Sequence, residues 1–179
     1  MQQRIKLSNN FFLDEFVDPF TYFKTPDNGR SLVNKMMINA AQLFRDIVGV
    51  SCSINNWWSY YVENRNKKTI DQIIKDIESS NTISKWSGIR TDRCTIGGTL
   101  SAHRNFKEGA IDIRATGMNG KSMFEVVEKN AKKFYEVGVR RLEDFKDTPT
   151  WLHMDGREHS TKNAIRVVDP KKFIKNITF

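Results

Sequence analysis

The chain has 179 residues, 39% hydrophobic and 11% aromatic, with 29 basic against 21 acidic side chains and a net charge of +8. Such a composition excludes disorder and suits one domain, residues 1–179, able to bury roughly two thirds of its unfolded surface without staples. No apolar run nears the roughly 18 residues of a membrane span; Met1-Gln2-Gln3-Arg4-Ile5-Lys6 has no signal-peptide core, so work outside a cell needs another means of delivery.

The positive balance favours anionic partners through long-range attraction. Its densest clusters are only the pairs Lys67-Lys68, Lys132-Lys133 and Lys171-Lys172, and no finger, zipper or RNA-binding run accompanies them, so nucleic acid is not expected. Cys52 and Cys94 form no Cys-x-x-Cys pattern, which predicts reduced thiols.

In chain order, Leu7 to Tyr22 mixes aromatic groups with turn formers and predicts a packed segment with at most one helical turn. Pro26-Asp27-Asn28-Gly29 reads as a turn. From Ser31 to Val48 apolar groups recur at three and four, predicting a helix with Ser31 as N-cap and Gly49 as stop. Val50 to Tyr61, rich in Trp and Tyr, predicts a strand. Thr69 to Ile77 sets four isoleucines on one helical face.

Thr91 to Thr99 is turn-rich and ends at Gly97-Gly98, which lacks the Lys-Ser or Lys-Thr of a phosphate loop. Gly109 to Arg114 alternates, turning Ile111 and Ile113 inward and Asp112 to the other face. Lys121 to Val137 predicts a helix stopped by Gly138. Val139 to Leu142, Thr150 to Asp155 and Ala164 to Val168 are short strand candidates, and Phe173-Ile174 and Ile177 to Phe179 are expected to dock on the core. This order lacks a βαβ rhythm and predicts an α+β fold with a small, largely antiparallel sheet flanked by helices.

Two of the three histidines lie near carboxylates in this frame. Trp151, His153 and Asp155 share a face by period two, and a neighbouring strand would bring Asp112 and His103 alongside. Two imidazoles and one carboxylate leave a fourth position open, the arrangement of a catalytic zinc. Spacing alone also allows ordinary surface histidines. His159, in a polar turn, reads as ordinary surface or as a support behind the ligands.

Ser101-x-His103, Gly109-x-x-Asp112 and Trp151-x-His153-x-Asp155 resemble the motifs of the zinc D-alanyl-D-alanine carboxypeptidase and L-alanyl-D-glutamate peptidase family, M15, in its phage and bacterial branch. Leu7-Ser8-x-Asn10-Phe11 with Glu15-Phe16, Ile54-Asn55-Asn56-Trp57 and Ser87-Gly88-Ile89-Arg90 are similar to further segments of that branch. The resemblance implies the hedgehog/DD-peptidase fold, zinc (Zn2+) on His103, Asp112 and His153, and hydrolysis of peptide bonds in peptidoglycan stems or cross-bridges. It implies substrate contacts from Arg90, Ser101 and Trp151; the missing signal peptide fits a phage or cytoplasmic origin with release by lysis, as for an endolysin, and a monomer is expected if the chain is free.

Two departures stand out. The loop between His103 and Asp112 is two residues longer than the family's, through Arg104-Asn105-Phe106-Lys107-Glu108. Thr150 occupies the position of the family's catalytic acid, and a hydroxyl cannot shuttle protons at neutral pH. Asp155 is the leading substitute base and otherwise orients His153; Glu108 and Asp147 are the other nearby carboxylates. Without a base, the chain would be a zinc-binding relative that holds the cell wall among virion proteins.

Overall fold

The computed structural model describes residues 3–94, 101–169 and 172–179; the Gly97-Gly98 pair lies outside them. The N-terminal segment makes a 3-10 turn at Leu13–Glu15 and then helix α1, Pro19–Lys24, where the Asp18 carboxylate accepts from Thr21 N. Phe11, Leu13, Phe16, Val17 and Tyr22 are fully buried, so this stretch is core rather than a loose lead-in.

Helix α2, Pro26–Leu32, replaces the expected turn at Pro26 to Gly29. Pro26 sits in its first turn, where a missing N–H costs nothing and the ring sets a helical φ. Helix α3, Lys35–Val48, therefore takes its cap three residues later than expected: Asn34 rather than Ser31 is the N-cap, its Oδ1 accepting from Met37 N, and Gly49 ends the helix at φ +70°. Met36, Met37, Ala40, Ala41 and Phe44 form its buried face.

Strand β1 is only Cys52–Ser53, and helix α4, Trp57–Asn64, overturns the strand expected through Tyr61. Trp57 and Tyr61 are one helical turn apart, both buried, and the aromatic rings of Tyr22, Phe23, Trp57, Trp58 and Tyr61 pack together. Tertiary packing of rings outweighs their strand propensity here. Helix α5, Ile70–Ser79, buries Ile73, Ile74 and Ile77 behind a Thr69/Gln72 capping box.

A 3-10 turn at Ala102–Arg104 leads to strand β2, Ala110–Ala115. The helix expected from Lys121 divides at Asn130 into α6, Gly120–Lys129, and α7, Ala131–Glu136; the Asn130 Nδ2 donates to the Val126 carbonyl. Strands β3, Arg141–Glu143, β4, Leu152–Asp155, β5, Ala164–Val168, and β6, Phe173–Thr178, complete the fold. In β6 only Ile177 is buried; Phe173, Ile174 and Phe179 are exposed, against the expectation that all would dock on the core.

The sheet order is β1-β2-β4-β3-β5-β6. All pairings are antiparallel except β3 with β5. This is a mixed, open, largely antiparallel sheet flanked by helices, an α+β architecture as expected. One buried apolar cluster runs from Phe11 to Ile177, with Ile111, Ile113, Leu142, Leu152, Met154 and Ile165 supplied by the sheet.

Candidate metal centre

Period two in β2 buries Ile111 and Ile113 completely and turns Asp112 to the opposite face. The antiparallel ladder places Asp112 directly opposite His153 of β4. Lateral neighbours in a sheet project from one face, so this pairing brings carboxylate and imidazole together.

His103 arrives from the turn before β2. Its Arg104 to Glu108 extension closes as a compact loop: Gly109 N donates to Asn105 O, and Asn34 Nδ2 donates to the carbonyls of Phe106 and Lys107. Gly109 sits at φ +75°, and a Cβ there would press within 2.7 Å of Asn34 and Met37. The loop is thus closed before the strand begins, and Ala110 enters the ladder opposite Asp155.

His103, Asp112 and His153 each offer one ligand atom, all within 4.8 Å of one another. His103 Nε2 lies 3.3 Å and His153 Nδ1 2.7 Å from Asp112 Oδ1, and the two rings meet edge to face at 5.0 Å. Ligands bonded to one tetrahedral zinc at about 2.0–2.1 Å stand roughly 3.3 Å apart, which these distances approach.

The outer nitrogens fix the tautomers. His103 Nδ1–H donates to the Gly88 carbonyl at 2.6 Å, and His153 Nε2–H donates to Asp155 Oδ2 at 3.2 Å. Each ring therefore aims its other nitrogen at Asp112, and second bonds of this kind orient metal-ligating histidines. Two nitrogen lone pairs converging on a carboxylate repel one another unless a cation lies between them. With no metal, a proton on His153 takes that place. Burial alone would lower the His153 pKa, but its bonds to Asp112 and Asp155 outweigh burial and raise it to about 10. Burial would raise the Asp112 carboxyl, yet the facing histidines hold it well below its usual range. The donor set fits a divalent ion such as zinc.

A cavity of about 640 Å³ opens over this cluster, lined also by Arg90, Ser101, Trp151 and Glu143. Arg90 Nη1 donates to Ser101 Oγ at 3.3 Å, and Nη2 stands 3.7 Å from Asp112 Oδ2. Trp151 forms part of the wall, with the Arg114 guanidinium 5.7 Å from its ring. These three expected substrate contacts and the three expected ligands share one cavity.

Asp155 is fully buried. Its Oδ2 accepts from His153 and from Arg157 Nη2 at 2.7 Å, and its Oδ1 from Arg157 N and Nε. Burial would raise this carboxyl, but these bonds outweigh it and keep it well below the carboxylate range. The expected general base is thus committed on both oxygens and faces no solvent, which is the geometry of an orienting group.

Glu108 bonds Asn105 and lines a different cavity, while Asp147 and Thr150 are exposed outside the one over the ligands. Glu143 is the residue the sequence reading missed. Arg141 and Leu142 pair with Asp155 and Met154, so one step further along that register Glu143 comes abreast of His153, half-buried in the cavity wall. Alternation through Arg141, Leu142 and Glu143 would have put Glu143 on a polar face, but the expected strand stopped at Leu142.

His159 stands apart, its Nε2–H donating to the Arg140 carbonyl. No family model, curated protein or solved structure matches this chain. The class that fold and site define is an α+β protein with a His/His/Asp centre able to coordinate a divalent metal, consistent with a zinc metalloenzyme.

Proposed function

We propose that the chain is a zinc-dependent peptidase acting on the stem or cross-bridge peptides of peptidoglycan, with the hedgehog/DD-peptidase fold and an evolutionary tie to family M15. The observation that carries this reading is the convergence of His103 Nε2, Asp112 Oδ1 and His153 Nδ1 at the floor of an open cavity, each imidazole pinned through its other nitrogen. A zinc ion held there supplies Lewis acidity, polarising a carbonyl and making water ionisable near neutral pH.

The chain's own residues supply the rest. Glu143, partly solvated and free of the ion pair that engages Asp155, takes a proton from water at its carboxylate and returns it to the leaving amine. Arg90, braced by Ser101, offers a planar fork to a substrate carboxylate, and Trp151 bounds the peptide on one side. Asp155 holds the His153 tautomer rather than acting as base.

Digestion of purified peptidoglycan, read by mass spectrometry, tests the reading. Zinc-loaded protein releases new peptide termini, and His153→Ala releases none. Glu143→Gln lowers turnover by about 10²–10⁴-fold with zinc content unchanged. Zinc-loaded protein that leaves every stem peptide intact at all pH values overturns the hydrolytic reading. The engagement of Asp155 and the exposed Thr150 favour a second reading, a wall-binding component of a virion, and binding without cleavage would select it.

A further inference from the structure

Beyond Glu143 the cavity wall changes character. Arg141 of β3 pairs laterally with Asp155 on one side and with Arg166 of β5 on the other. Asp112 and His153 form the adjacent row, with His153 two residues from Asp155 along β4, so both arginines share the ligands' face of the sheet. Arg166 lies two strands from β4, each spaced by about 4.8 Å. Both arginines line the cavity over the ligands.

The acidic group in that row, Asp155, is taken by Arg157 and His153. Arg141 donates from Nε to the Arg157 carbonyl and from Nη2 to the Glu158 carbonyl, neutral acceptors both. The Arg166 guanidinium lies 5.3 Å from the Phe173 ring, and its Nε is buried without a hydrogen-bond partner. Among the described residues neither guanidinium makes an ion pair. Burial, together with the nearby Arg157 and Arg166 charges, outweighs the attraction of Asp155 and lowers the Arg141 pKa. Adjacent like charges, one with a buried idle donor, are relieved by an anion between them.

We infer that Arg141 and Arg166 form an oxyanion subsite, separate from the metal ligands, that takes a free carboxylate on the peptide substrate. This rests on the peptide reading above. The guanidinium fork suits a carboxylate in two-point contact, and stem peptides carry one on their γ-linked glutamate, where amidation removes the charge without altering the backbone.

The test is a matched pair of synthetic stem peptides, with that position as acid or as amide, titrated calorimetrically into the zinc-loaded full chain. The acid binds about tenfold more tightly, the effect of one charge-assisted contact. Arg166→Gln removes the preference with an unchanged melting temperature, and Arg166→Lys restores part of it. Arg141→Gln is the second variant, should the first not fold. Equal affinities in the unmodified chain, or a preference that survives in a folded Arg166→Gln or Arg141→Gln protein, overturn the subsite. Mass spectra of the same mixtures separate the two claims. Acid-selective binding without cleavage leaves the subsite standing and removes the hydrolytic reading; cleavage of both peptides at equal affinity does the reverse.

Discussion

His153 is poised between two carboxylates, and its proton and a metal compete for the same nitrogen. In the metal-free chain its pKa is raised from the ordinary 6.5 to about 10. A group raised by folding adds stability that is full below its unfolded pKa and is lost as pH climbs through the folded value. Asp112 is held low from 3.8, so its contribution is present above that value and disappears only on acidification. The metal-free protein should therefore lose melting temperature steadily from about pH 6.5 towards pH 10. Zinc must displace the His153 proton, so its affinity should rise over the same interval. Thermal denaturation across pH, with chelator and with zinc, checks both signs; a metal-free melting temperature that is flat or rising there contradicts the assignment.

Among the elements, the segment Trp86 to Arg90 ties the N-terminal core to the site. Ile89 N donates to the Phe16 carbonyl, Ser87 O accepts from Asp112 N, and Gly88 O holds His103. Gly88 is required by close approach, since an added Cβ would overlap the Phe16 carbonyl oxygen. Gly88→Ala should cost about 1–3 kcal/mol through overpacking. By displacing the carbonyl that sets the His103 tautomer it should also weaken zinc binding by about 10–100-fold. Denaturant unfolding and competitive zinc titration measure the two effects, and unchanged zinc affinity would separate Gly88 from the centre. Helix α3 and strand β2 were legible because their apolar periods are clean, and strand β5 as a short, mostly apolar run ahead of a proline. Helices α2 and α4 were not. Pro-Asp-Asn-Gly suits a turn and a proline-led helix alike, and the spacing of Trp57, Trp58, Tyr60 and Tyr61 fits either period until their ring partners Tyr22 and Phe23 are in place.

Over the whole molecule, strand alternation put Asp112 and His153 on polar faces, while His103 was joined to them as a ligand through the motif resemblance rather than through any period. That β2 pairs with β4 could only be supposed, and the place of β3 between β4 and β5 could not be read at all, since both rest on nonlocal pairing. Glu143 and the Arg141–Arg166 pair went unread for that reason, and Asp155 was expected as a base because burial and the Arg157 contact leave no trace in a motif. The hydrolytic reading of the cavity depends on three distant side chains capturing a single ion. The direct measurement is the zinc-to-protein ratio of the full chain after saturation and gel filtration, compared with His103→Ala and His153→Ala. The account predicts one zinc per unmodified chain and almost none in either variant that still melts cooperatively. A ratio near zero in the unmodified chain, or one that persists in both variants, would contradict it.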